Sequence, residues 1–174
     1  GPEYSTAAAL GSGLGNDNLA SILKANDLAN RYGLDTIDLG GVIALSMELY
    51  QRGIISQSEA DGLDLSWGNH QAVMQLIEKI AHRQGFGNVL ANGVRGAADE
   101  IGRNAIRYAV QVKGMTPAPL DARAVKVYNF RYAVAPRGAD HLRISAPGGY
   151  ALDKLPLSEA ADKLHYWQSI IAIP

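Results

Sequence analysis

The residue whose type best suits proton transfer is His141, which closes the string Pro136-Arg137-Gly138-Ala139-Asp140-His141. An imidazole with an unperturbed pKa of about 6.5 takes or gives a proton at neutral pH. Arg137 and Asp140 supply a guanidinium and a carboxylate beside it, able to orient the ring or an anion and equally able to be surface ions. A second candidate is the carboxylate of Glu3. A third is the run Asn30-Arg31-Tyr32-Gly33-Leu34-Asp35. Gly33 is the residue type that ends a helix and Asp35 the type that begins one, so from its residues alone this run is the turn of a helical hairpin. There is no phosphate-cradling glycine loop, His-Glu-x-x-His helix or nucleophile elbow. The absence of cysteine excludes disulfides, thiolate zinc sites and cysteine-held iron–sulfur clusters within these residues.

Apolar spacing predicts helices to carry these groups. Leu19, Ile22, Leu23, Leu28, Ala29 and Tyr32 recur at three and four, predicting an amphipathic helix from Asp17 that Gly33 stops. Asp35-Thr36 caps a second helix with Leu39, Ile43, Met47 and Tyr50 on its buried side and Gly53 at its end. Glycine inside a helix costs about 1 kcal/mol relative to alanine, so Gly40-Gly41 predicts close approach of a ligand or another backbone, tight helix packing being the plainer reading. Ser56 and Glu59 have capping-box spacing, and Ser66 to Asn69 reads as a loop ending in a cap. Val73, Leu76, Ile77, Ile80 and Ala81 mark a helix ended by Gly85, with Lys79, His82 and Arg83 at its C-terminal dipole. One further helix is predicted from Asn88 to Gly102.

At Ile106 the pattern changes. Ile106, Tyr108, Val110 and Val112 alternate at period two, predicting a short extended segment. Asp121 to Ile144 shows weak periodicity, and Ser158 to Ile171 predicts a last helix entered through Pro156. The expected fold is mainly α and multihelical, two packed helical subdomains over residues 1–110 and 111–174 with at most one short extended segment.

Composition bounds the partners. The 174 residues are 47% hydrophobic and 19% charged, an ordinary globular balance. The net charge of -1 makes no field to attract nucleic acid or an anionic membrane. No apolar run approaches the roughly 20 residues that cross a bilayer, and no leader is evident, so the expected setting is cytoplasmic, with no membrane partner. The opening Gly1-Pro2 without Met and the apolar close at Trp167 to Pro174 are the ends expected of a piece of a longer chain; Gly1-Pro2 also suits a tag-cleavage scar.

Longer strings carry more. Gly1-Pro2-Glu3-Tyr4, Leu10-Gly11-Ser12-Gly13-Leu14-Gly15, Asn30 to Ile37, and Pro136 to His141 follow in order, with Met47-Glu48-Leu49-Tyr50, Trp67-Gly68-Asn69, Ile77-Glu78-Lys79-Ile80-Ala81 and Gly85-Phe86-Gly87 between them. From residue 1 to about 145 the chain resembles the tungsten aldehyde:ferredoxin oxidoreductase family.

That resemblance implies a tungsten or molybdenum bis-pterin and a 4Fe-4S cluster in the full-length protein, with the cluster cysteines outside these residues. It implies oxidation of an aldehyde to a carboxylic acid, or the reverse, with electrons passing to ferredoxin or another electron-transfer protein. The family's pterin motif Asp-x-x-Gly-Leu-Asp falls on Asn30, Gly33, Leu34 and Asp35, with an amide replacing the first carboxylate. His141 aligns with a histidine beside the metal. The family's opening string commonly continues with Glu where this chain has Ser5, leaving Glu3 as the nearby carboxylate and candidate catalytic residue. Where some members bridge subunits through iron held by Glu-x-x-His, Lys24 with Asp27 and Gln71 with Met74 stand here, so no metal-ligating residue is expected and any homodimer would lack the bridging iron. Asp121-Ala122-Arg123 and the bulky Val127 to Tyr132 segment replace a proline-bearing, glycine-rich stretch. Reduction of an aromatic acyl thioester by the same cofactor is therefore a second expectation, and a non-catalytic helical scaffold or interaction module a third. The 174 residues alone are expected to be inactive and to bind no cofactor.

Overall fold

The computed structural model describes residues 1–121, 123–124, 126–141 and 154–171, which fall into two compact units, Gly1–Pro119 and Leu120–Pro174. The described residues are mainly helical, with no strand among them. None of the helices searched is long and apolar enough to cross a membrane.

The first unit holds α1 (Tyr4–Leu10), a 3-10 turn (Ser12–Leu14), α2 (Leu19–Tyr32), α3 (Thr36–Gln51), α4 (His70–Ala81), α5 (Phe86–Leu90), α6 (Gly93–Ile101) and a second 3-10 turn (Ala105–Tyr108). Its core helix is α3. Leu39, Val42, Ile43, Leu45, Met47 and Leu49 are all buried, so apolar residues cover most of the circumference rather than one stripe. Neighbours therefore surround it: α1, α2, α4 and α6 all pack against α3. Gly40 permits the approach of α1, and Gly41 that of the segment carrying Thr116. A Cβ at Gly40 would lie 2.7 Å from the Ala9 carbonyl oxygen of α1, and one at Gly41 would lie 2.4 Å from the Thr116 methyl. The glycine pair serves packing against other parts of this chain.

Local chemistry sets the helix ends. The side chains of Asn18, Asp35 and Asn69 accept from backbone N–H groups at the starts of α2, α3 and α4. Gly33, at φ 67°, closes α2 in the left-handed conformation that glycine adopts without strain. Ser56 and Glu59 form the reciprocal box their spacing predicts, around a turn rather than a helix start. The Glu59 carboxylate accepts from the Ser56 N–H at 2.8 Å and from its hydroxyl at 2.7 Å, and the Glu59 N–H donates to the hydroxyl at 3.3 Å. These bonds, with Arg103 at 2.8 Å, hold the Glu59 carboxyl at about 2. A depressed folded-state pKa stabilises above the unfolded value and is lost as pH falls through the folded one. The stability difference between the protein and its Glu59→Gln variant should thus be constant above about pH 4.5 and vanish as pH falls to about 2. Urea unfolding across that range reads it, and a pH-independent difference would contradict the linkage.

Three expectations are corrected. On α2 the buried residues are Ser21, Ile22, Ala25 and Ala29, whereas Leu19 and Leu23 are exposed. Small side chains face inward because neighbouring elements come close: a Cβ at Gly11 would lie 2.9 Å from the Ile22 side chain. Ser21 also completes a buried polar cluster with Asn16, whose amide donates to the Leu10 carbonyl. The helix expected from Asn88 to Gly102 is two, broken where Gly93 turns to φ 74° and Arg83 donates to the side chains of Asn88 and Asn92. The period-two run at Ile106 begins as a 3-10 turn, with Asn104 left-handed and Ala105 fully buried. Arg52 stacks 4.5 Å over the Tyr108 ring. Among the described residues, extended pairing is confined to the single bridge Val112–Met115, around Lys113 and Gly114 at positive φ, the backbone signature of a tight hairpin turn.

The second unit holds α7 (Lys126–Val134) and α8 (Leu157–Ile171). The last helix begins where Pro156 predicts, and Ala160 and Leu164 bury against Phe130, Leu155 and Trp167. Helix α7 forms within the segment of weak periodicity. Its inward side includes Arg131 and Tyr132, both buried, with the Arg131 guanidinium 4.7 Å over the Tyr128 ring. A buried arginine erases the hydrophobic period. Burial pushes the Arg131 pKa down, partly offset by Tyr128. Ala122 lies outside the described residues, as do the Lys126 and Val127 side chains.

Candidate functional site

The first candidate site lies at the start of α3. The α2 C-terminus closes by bonds from the Leu34 N–H to the Ala29 carbonyl at 2.8 Å and from the Gly33 N–H to the Asn30 carbonyl at 3.2 Å. Asp35 then turns the chain into α3, one carboxylate oxygen accepting from the Ile37 and Asp38 N–H groups at 2.9 Å each. Its other oxygen has no hydrogen bond to the described residues. The Asn30 amide donates to the Asn26 carbonyl at 2.7 Å and the Asn26 side chain at 3.2 Å, and its own oxygen has no hydrogen bond to the described residues. Leu34 packs against the core while Asn30, Gly33 and Asp35 are exposed, and nothing lies within 4 Å of a Cβ added at Gly33. The run thus carries two exposed side chains with acceptor oxygens, at Asn30 and Asp35, and an open, side-chain-free position at Gly33.

Tertiary packing brings Glu3 to the same helix end. Buried Thr6 and half-buried Thr36 share a hydrogen bond of 2.8 Å, and the Thr6 hydroxyl donates to Glu3 at 3.5 Å. Glu3 is exposed, while Ser5 is buried on α1. Asp38, in the first turn of α3, accepts the Thr116 N–H at 2.9 Å, which ties the 115–119 segment to this end as well. Sequence reasoning missed Thr6, Asp38 and Thr116. Only Thr36 carried a signal, inside the capped string.

A third tie reaches the turn from α4. The Tyr32 hydroxyl donates to Glu78 at 2.5 Å, His82 lies 3.8 Å from the same Glu78 oxygen, and the Tyr32 and His82 rings meet edge to face at 5.3 Å. Bonding to Glu78, aided by burial, pushes the Tyr32 phenol above its ordinary value.

His141 belongs to the second unit. Before it, Gly138 sits at φ 121° and Arg137 donates to the buried Asp140 carboxylate at 3.2 Å. A one-residue turn from the Asp140 N–H to the Gly138 carbonyl at 2.8 Å leads into the half-buried histidine. Lys24 and Asp27 pair with each other at 3.3 Å, and the bond from Lys24, reinforced by Arg31, lowers the Asp27 carboxyl. Among the described residues no cluster of three or more His, Asp or Glu could hold a metal ion.

Residues 1–173 match the family model of aldehyde ferredoxin oxidoreductase domains 2 and 3. The tungsten-containing aldehyde ferredoxin oxidoreductase of Pyrococcus horikoshii is 40% identical over 146 residues, 82% of this chain and 24% of that protein. An aliphatic sulfonate oxidoreductase, WOR-like subunit, of Pyrococcus furiosus is 34% identical over 151 residues, 83% of this chain and 24% of that protein. Among solved structures, the active-site complex of a benzoyl coenzyme A reductase with 1,5-dienoyl-CoA aligns with a TM-score of 0.65 and 29% identity, over 82% of this chain and 21% of that one. The relatives matched in sequence and in fold are oxidoreductases. The chain belongs to the aldehyde ferredoxin oxidoreductase family, and it spans about a quarter of the length of the curated relatives it matches.

Proposed function

We propose that this chain is the helical portion of a tungsten-pterin oxidoreductase that interconverts an aldehyde and a carboxylic acid, passing electrons through a 4Fe-4S cluster to ferredoxin. The observation that carries this reading is the Asn30 to Asp35 turn. Its exposed Asn30 and Asp35 side chains carry acceptor oxygens suited to the N–H-rich edge of a pterin, and open space at Gly33 lets a flat ring approach the backbone. These residues fit the group. When bound, the pterin-held metal supplies the two-electron redox chemistry.

Oxidation of an aldehyde by water yields the acid, two protons and two electrons, so a nearby group must accept a proton. His141 is that group in this reading, with the Arg137–Asp140 pair holding the turn that carries it. Ser5 has no carboxylate to serve as base, and exposed Glu3 anchors Thr6. The test is made on the full-length protein: tungsten and pterin content, then aldehyde-dependent reduction of a viologen dye. Protein expressed with tungstate that holds neither metal nor pterin would favour the scaffold reading.

A second reading, reduction of an aromatic acyl thioester, is favoured by the likeness to the benzoyl coenzyme A reductase complex and by serine at position 5. Thioester-dependent oxidation of reduced viologen, without aldehyde-dependent reduction, would select it. The 174 residues alone are expected to show neither activity; dye reduction by them would contradict a cofactor cleft completed from outside this chain.

A further inference from the structure

Within the Asn30 to Asp35 run, only Tyr32 makes a side-chain hydrogen bond to another helix of the described residues, apart from the bonds by which Asp35 caps α3. That bond joins residues 46 apart in sequence and lands on Glu78 of α4. Tyr32 is the last residue of α2, directly before left-handed Gly33. On the other side of the turn, Thr36 is tied to Thr6 of α1. The turn is thus held at both ends, with exposed Asp35 between the two ties and exposed Asn30 two residues before the first. His82, the C-cap residue of α4, sets its ring edge to face with Tyr32 and limits how far the phenol can swing.

We infer that Glu78, acting through the Tyr32 hydroxyl and backed by His82 against the Tyr32 ring, is a positioning residue for the cofactor-holding turn. The inference rests on the pterin reading above for the identity of the cofactor, but not for the clasp itself. The turn closes on short backbone bonds at Gly33 and Leu34, and such segments open independently of the core unless a side chain ties them to a second element. A hydrogen bond at this exposed site contributes little to global stability, yet it restricts the one segment whose Asn30 and Asp35 oxygens must keep a fixed separation to meet a rigid ring.

The experiment is hydrogen–deuterium exchange on the full-length protein, with tungsten and pterin content measured on the same samples. Tyr32→Phe and Glu78→Ala should each raise exchange at Gly33 and Leu34 about fivefold or more while the interior of α3 is unchanged. Glu78→Gln keeps an acceptor for the phenol and should stay within about twofold of the unmutated protein, a rescue that general loosening would not show. Cofactor content should fall in Tyr32→Phe and Glu78→Ala and be retained in Glu78→Gln. Unchanged exchange in Tyr32→Phe and Glu78→Ala, or a rise spread evenly over α2 and α4, overturns the clasp. A loosened turn with full cofactor content overturns its positioning role. Unmutated protein without tungsten or pterin overturns the proposed function instead, and the exchange comparison still decides the clasp.

Discussion

In the full-length protein, His141→Ala is expected to lower aldehyde-dependent dye reduction by about 10²- to 10⁴-fold, the usual contribution of a positioned general acid or base. The loss should fall on kcat and kcat/KM together, because proton transfer belongs to the transition state rather than to substrate binding. Cofactor content should be unchanged, since in this reading Asn30 and Asp35 hold the pterin and His141 does not. The local structure makes the substitution selective. The turn before His141 is shaped by Gly138 at φ 121° and by the Arg137 bond to buried Asp140, neither of which needs the imidazole. His141→Gln restores a polar side chain of similar reach without an imidazole to take up and release a proton, so it should be as slow as alanine. Wild-type rates in either variant, with an unaltered pH profile, would remove His141 from the chemistry.

The second large effect concerns stability. Gly40→Val should destabilise the protein by about 3 kcal/mol, the upper part of the range for overpacking a tight core. A Cβ there meets the Ala9 carbonyl oxygen at 2.7 Å, the Ala9 Cβ at 2.9 Å and the Ala9 carbonyl carbon at 3.0 Å. Those atoms are backbone or bound to it, so no rotamer change relieves the contact and α1 must move off α3. Gly40→Ala should cost less, because the roughly 1 kcal/mol gained in helix propensity opposes the clash. Displacing α1 also strains the Thr6 to Thr36 bond, so the same variant should loosen the start of α3. Urea unfolding measures the first effect, and faster exchange at the Ile37 and Asp38 amides reads the second. A Gly40→Val protein as stable as its parent would show that α1 does not pack as described.

Much of this was legible in the chain. The starts of α3 and α4, the closure of α2 at Gly33, the Ser56–Glu59 box and the entry to α8 through Pro156 all follow from contacts within a few residues. Capping bonds and left-handed glycines are settled by near neighbours, so residue type at one position carries the information. The family strings added the candidate site, since Asn30 to Asp35 alone is an ordinary hairpin turn.

The illegible parts share a cause. Leu19 and Leu23 have the right spacing for a buried stripe, but α2 turns Ala25 and Ala29 inward. Which face of a helix is buried depends on the helices beside it. Buried Arg131 hid α7 from any count of apolar period, and the alternation from Ile106 to Val112 was broken by a turn that Asn104 and Ala105 create.

By itself the sequence determined where most helices start and stop, the absence of cysteine chemistry, and the family to which the chain belongs. Tertiary structure alone decided that Glu3, Thr6, Thr36, Asp38 and Thr116 gather at one end of α3, and that Tyr32 reaches Glu78. The reason is range: caps act over three or four residues, whereas these bonds join residues up to 78 apart, set by how closely glycine lets the helices approach.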